Sequence, residues 1–324
     1  MSALWLALRR RLLTPSPGAT ELRRRGFRVK DERARHALES AGRSFVAGFG
    51  HAAGTSSPQA AEARLESVDA PLRGFAYEGA AMAYALMAGL GLRDRTAEFL
   101  AGGGRRHLYM AHVGAGWALA RLPRPRRRRV LPTDPLLRWL ALDGYGFHQA
   151  YFHTDRYVRQ QHRDPGRNWG PELRGYAGHA VDQGIGRALW FVCGTDVRHV
   201  VDTVRGFAPG RHADLFSGVG LAATYAGGVD DKELVELARL ADRHRHRAAL
   251  AQGSAFAAKA RLRAGLPTDD TARATAALCR ATPEQAATMT DDALRDLPPD
   301  ADGRPAYAVW RQRIADQFTL LGRH

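Results

Sequence analysis

The sequence predicts an all-α fold: a helical array with an internal duplication of about 105 residues. Three observations predict it. Apolar residues recur at three- and four-residue spacings in one segment after another, which is how a helix with one buried face reads. Capping residues stand where several of these segments begin. Strings built from an acid or amide, glycines, small residues and an aromatic recur at one offset, the mark of a repeated unit. No segment alternates polar and apolar residues over the length of a strand.

Residues 1–18 predict a short amphipathic helix and a linker, the break being Thr14-Pro15-Ser16-Pro17-Gly18. The apolar run of that helix is short and its arginines follow it, so it is not a secretory signal. It reads either as a helix packed on the body with an exposed basic end, or as a helix lying on anionic lipid. Residues 19–324 read as one helical domain. Helices over about 31–49, 58–68, 72–90, 93–101 and 106–121 make a first half, 31–122. Helices over about 135–161, 172–193, 196–206 and 213–226 make a second, 135–226. Those over about 230–263, 268–280, 284–296 and 304–320 follow it. Thr133-Asp134-Pro135 places a cap before a first-turn proline, and Asp230 and Thr268 open later helices. Between the halves, Pro123 to Pro132 is too rich in proline for a continuous helix. It reads as a solvated basic connection, with a phosphate-binding strip as the alternative.

The chain has 324 residues, 45% of them hydrophobic, enough for a sizeable core. Its net charge of +15 is nearly all arginine, the only lysines being Lys30, Lys232 and Lys259. Arg, Ala, Gly and Pro are all frequent, so the charge is a compositional bias rather than a nucleic-acid signal, and no nucleic-acid partner is expected. The two cysteines, Cys193 and Cys279, have neither disulfide nor metal-ligand spacing, which fits a reducing cytoplasm. No uncharged apolar stretch is long enough to span a bilayer.

The repeat carries the most information. Phe75 to Tyr84 matches Ala180 to Trp190, and His112 to Ala118 matches Phe216 to Ala222; a third element joins Gly42–Phe45, Gly144–Phe147 and Gly253–Phe256. The pairs Gly114/Gly116, Gly184/Gly186 and Gly218/Gly220 fall inside predicted helices, where each glycine costs about 1 kcal/mol against alanine. They mark either close helix approach or a ligand groove against the backbone. No strand precedes them, so they are not a dinucleotide or phosphate loop.

Two segments are dense in groups that can carry chemistry. In Asp143 to Arg156, helical spacing puts Tyr145, His148, Phe152 and Asp155 on one face, where a histidine beside a tyrosine and a carboxylate could exchange protons. In His179 to Arg187, the stripe His179, Gln183 and Arg187 enters an apolar helix, and Glu78 holds the matching place in the first half. The candidate catalytic residues are His148, Asp182, Tyr145 and Glu78. The candidate substrate-binding residues are Gln183, Gly184, Gly186, Arg187, His112, Gly116, Phe147 and Gly218. No metal site and no cofactor is assigned. The competing reading of both segments is a buried polar cluster satisfying its own hydrogen bonds. Asp214 reads as the cap of the helix carrying Gly218 and Gly220. The run Arg239 to Arg247 reads as a solvated face.

The strings Phe75 to Met82, His112 to Ala118, Asp143 to His148, Asp182 to Phe191 and Ser217 to Ala222 resemble those of the UnbL-type proteins of enediyne polyketide biosynthesis. The resemblance runs from about residue 20 to 320. It implies a cytoplasmic accessory protein whose companions include the iterative polyketide synthase and further accessory proteins, one of them integral to the membrane. Peripheral contact with the inner face of the membrane is a related expectation. The expected ligand is the linear polyene or polyyne released by the synthase. The alternative is a non-catalytic scaffold or carrier subunit of a membrane-associated complex. The resemblance assigns no catalytic residue.

Overall fold

The computed structural model describes residues 2–300 and 304–321, and among these there are helices and no β-strand. The longer helices are α1 (Ala3–Leu13), α2 (Glu32–Ala53), α3 (Ala70–Gly89), α4 (Leu108–Arg121), α5 (Arg138–Phe152), α6 (Ala177–Val192), α7 (His212–Ala226), α8 (Arg247–Arg263) and α9 (Ala306–Leu321). Shorter helices at Pro58–Glu66, Thr96–Ala101, Val197–Arg205, Asp231–Arg243, Asp269–Cys279 and Pro283–Asp292 fill the spaces between them. None of the described helices is long and apolar enough to cross a membrane. Cys193 and Cys279 are buried free thiols.

Helices α2 to α8 pack in chain order, each against the next. Their glycines make this possible. A methyl group on Gly79 would overlap the carbonyl oxygen of Phe45 on α2, and one on Gly114 that of Glu78 on α3. Within one helix the two glycines face opposite ways. Gly144 meets the Val113 carbonyl on α4, while Gly146 meets Val181 on α6. Gly184 meets Asp143 on α5, while Gly186 meets Leu215 on α7. Gly218 and Gly220 repeat the arrangement against Gln183 and Leu250. Each glycine thus presents a hydrogen to a carbonyl where any side chain would hold the helices apart, a contact worth about 0.5–1 kcal/mol. From α4 to α7 the unit that repeats in the packing is therefore one helix with its glycine pair. The offset of 104 residues from Gly114 to Gly218 spans three such helices, α4 to α7.

The row curves back on itself. Phe75 of α3 meets Tyr225 of α7 edge-on at 5.1 Å. Arg261 of α8 donates to the Pro71 carbonyl at 2.7 Å and to the Tyr225 carbonyl at 2.6 Å, tying the far end to α3. Helix α9 closes one side: Tyr307 donates to Gln183 at 3.2 Å, and Arg311 to Asp214 at 2.7 Å and Gln252 at 3.2 Å.

Three local expectations change. The segment 135–161 is not one helix, because α5 ends at Phe152. The Thr154 hydroxyl donates to the Ala150 carbonyl at 2.9 Å and the Arg25 guanidinium to the Tyr151 carbonyl at 2.5 Å, so the last carbonyls are already satisfied. A π-helical turn, Asp155–Arg159, follows, and exposed Asp155 pairs with Arg159 instead of joining the face of His148. The segment 230–263 breaks at Arg245, which takes a left-handed backbone with φ 62°. Asp214 does not cap α7; that helix starts two residues earlier, and the carboxylate accepts from His179 and Arg311.

Candidate functional site

A cavity of about 490 Å3 opens between α2 and α7. Its walls are aromatic: Phe45, Phe75, Trp117, Phe147, Tyr151, Phe152, Phe191 and Tyr225. Each helix delivers its contribution within a turn or so of its glycines, since close crossings bring the neighbouring side chains round one space. The charged or titratable groups at the wall include Glu78, His148 and Arg187, with exposed Arg121 and His153 at the rim; Thr20 and the hydroxyl-bearing Tyr151 and Tyr225 line it too.

Glu78 is 2% exposed. Its Oε1 accepts from Trp117 Nε1 at 3.0 Å and lies 3.9 Å from Arg187 Nη2. Arg187 donates to Asp143 and stacks over the Phe147 ring at 5.2 Å. One guanidinium therefore serves two buried carboxyls. Burial pushes Glu78 up to about 7; Arg187 opposes the rise and Asp143 adds to it. Burial works against the Arg187 charge, but Asp143 and Glu78 outweigh it and keep the guanidinium protonated. Burial raises Asp143 as well, against the pull of Arg187; with Asp143 ionised against the guanidinium, the trio is neutral when Glu78 carries a proton and negative when it does not. Near neutral pH the cavity holds a carboxyl able to give or take a proton.

His148 is neutral. Burial drives its pKa down to about 3, against a hydrogen bond to the Gln149 amide oxygen that favours the charged ring. The Gln149 amide nitrogen donates to Tyr145 at 3.2 Å and to Tyr157 at 2.8 Å, so its oxygen is the acceptor for His148 Nδ1 at 3.3 Å. That places the ring proton on Nδ1 and leaves Nε2 as a hydrogen-bond acceptor. Tyr145 and Tyr157 both donate to Asp164, at 3.0 and 2.8 Å. Tyr145 thus stands behind His148 in a hydrogen-bonded chain and not in the cavity wall.

The other sequence candidates scatter. Asp182 is held by Arg211 at 2.5 Å and Arg163 at 3.1 Å, in a separate polar pocket of about 270 Å3. His112 donates from Nδ1 to the Leu108 carbonyl at 2.8 Å within its own helix. Gln183 accepts from Tyr307 under α9. Gly116, Gly184, Gly186 and Gly218 lie at helix crossings, where a neighbouring carbonyl fills the space a ligand would need. Glu78, His148, Arg187 and Phe147 are the candidates brought to one cavity.

Asp143 and Trp117 were not singled out from the sequence. Asp143 directly precedes a glycine pair, as Glu78 precedes Gly79 and Gln183 precedes Gly184, and that place was the available signal. Trp117 lies directly after Gly116, but its role depends on an acid on another helix. Among the described residues no three His, Cys, Asp or Glu gather as a metal-binding group.

Comparison with known proteins finds a family model described as a protein of unknown function, DUF1702, over residues 4–318. No curated protein and no solved structure matches the chain.

Proposed function

The chain belongs to the DUF1702 family, protein of unknown function, along nearly its whole length, and from that premise we propose that it binds a linear conjugated polyene or polyyne in the aromatic cavity, as an accessory protein of enediyne-type polyketide core formation. The pathway rests on the resemblance of the glycine-bearing strings to UnbL-type proteins. The binding rests on one observation: eight Phe, Tyr and Trp rings around about 490 Å3, with an ionisable carboxyl in the wall. That volume falls within the roughly 300–1,000 Å3 of small-molecule pockets. A flat, apolar, conjugated chain matches the rings, and Glu78 supplies the proton donor or acceptor. Protonated Glu78 can hydrogen-bond a terminal oxygen of the ligand or give it a proton; ionised, it can take one back. Arg187 and Trp117 hold the carboxyl in place through both states.

A second reading, a non-catalytic carrier, is favoured by the apolar character of the rest of the wall and by the neutrality of His148. One experiment separates them. A linear conjugated polyene titrated into the protein should quench tryptophan emission, because Trp117 forms part of the wall. Ala120→Trp, partly exposed at the cavity, should abolish quenching without lowering the melting temperature. No saturable binding to the parent, or equal binding to Ala120→Trp, defeats the proposal. If Glu78→Gln binds but no longer restores product to a deletion strain, the protein is an enzyme; if it does both, it is a carrier.

A further inference from the structure

Helix α1 is turned inside out relative to an ordinary surface helix. Leu4, Leu8 and Leu12, one turn apart along one face, are 81%, 45% and 71% exposed, and Trp5 beside them is 42% exposed. Arg9 is buried instead. Its Nε donates to the Ala53 carbonyl and its Nη2 to the Thr55 carbonyl, both at 2.6 Å. Ala53 is the last residue of α2, where the helix dipole is negative, so a cation is favoured there without a carboxylate partner. The arginine fixes α1 to the body and holds the leucines outward.

We propose that this apolar face docks on the surface of an anionic lipid bilayer. Three observations choose that occupant. The first is charge: residues 2–30 carry eight arginines and lysines and a single acid, Glu21. Arg10 and Arg11 are exposed and line an open groove of about 750 Å3 beside α1, and exposed Arg24 lies against Gly18 in the following turn. A leucine and tryptophan stripe flanked by arginines is the pattern of a helix lying in a bilayer interface. The second is size. A helix of 11 residues is only about 16 Å long, too small a face for the roughly 800 Å2 per partner of a stable protein interface. The third is position. Pro15, in the linker after α1, lines both the groove under the helix and the aromatic cavity. An apolar ligand could then pass between bilayer and cavity without crossing bulk water. This last step rests on the ligand proposed above; the docking does not.

The test is flotation of the full-length protein with vesicles of phosphatidylcholine alone and of phosphatidylcholine mixed with phosphatidylglycerol. The parent should float with the anionic vesicles at low salt and be released at high salt. The triple variant Leu4→Ser, Leu8→Ser, Leu12→Ser should retain its melting temperature and lose at least about tenfold in partitioning. Arg10→Gln with Arg11→Gln should reduce the preference for anionic over neutral vesicles. Glu78→Gln should float like the parent, so a failed ligand reading leaves this result untouched. A parent that stays in the aqueous layer with anionic vesicles at low salt overturns the proposal, as does a triple variant that floats equally well. It is also overturned if the parent ignores vesicles but self-associates in sedimentation through a contact the triple variant lacks.

Discussion

Glu78 gives the protein a pH-dependent stability whose sign can be worked out. Its folded pKa lies near 7, above the ordinary carboxylate range, because burial penalises the charge. Between those values the folded chain holds a proton that the unfolded chain releases, so stability falls as pH rises through this window. The parent should lose on the order of 1–3 kcal/mol between about pH 5 and 8, measured by urea unfolding. Glu78→Gln should be flatter, and equal slopes would show that Glu78 is ionised throughout. His179, raised chiefly by its hydrogen bond to Asp214, loses stability in the same direction but at higher pH, and its half-exposed ring keeps that contribution small. The test of His148 is different in kind. His148→Gln keeps size and polarity and should fold like the parent. It should fail to restore product if Nε2 contacts the reacting ligand; full restoration at parental levels removes His148 from the chemistry. The sequence exposed Glu78, His148 and Arg187 because ionisable groups within apolar helices stand out. It could not bring Asp143 to Arg187, since that pairing joins α5 to α6 across a crossing whose geometry is not local.

The glycine pairs were visible along the chain, but their purpose was not. A glycine inside a helix says that something comes close; whether backbone or ligand is decided by the next helix. Here it is backbone, and the energetic consequence is sharp. Gly184→Ala should destabilise by about 1–3 kcal/mol, since its methyl would overlap the Asp143 carbonyl. Gly178, exposed in the same helix, faces only the Arg163 guanidinium at 3.9 Å. Gly178→Ala should leave stability unchanged or raise it by up to about 1 kcal/mol. Thermal unfolding of the two variants checks this, and similar effects for both would mean that the crossing yields easily. The offset read from the sequence joins helices three apart in the row, which is where its strongest matches fall. The helix ends at Phe152 and Arg243 were also hidden. Neither is marked by proline or glycine: one is made by Thr154 and Arg25 reaching back to carbonyls, the other by a left-handed arginine.

At the scale of the whole molecule, α9 and Arg261 bind distant parts of the row, so the chain should unfold in one transition by circular dichroism and calorimetry. Arg311→Met should cost about 3 kcal/mol, because it strands the Asp214 carboxylate in the interior with only His179. Adding Asp214→Asn should recover much of that loss, and no recovery would mean that Arg311 matters through packing alone. The all-helical architecture was legible from periodicity, whereas the closure of the row was not, since it depends on single arginines reaching carbonyls far away in the chain. The carboxyl in the cavity wall also has an optical consequence. The colour of a conjugated molecule responds to a charge fixed beside one end of it, because excitation moves electrons along its length. A polyene seated against Glu78 should therefore shift its visible absorption band as the pH passes through about 7, and the same molecule in Glu78→Gln should keep one colour throughout, so that the bound ligand would itself act as the indicator for the titration of the residue that faces it.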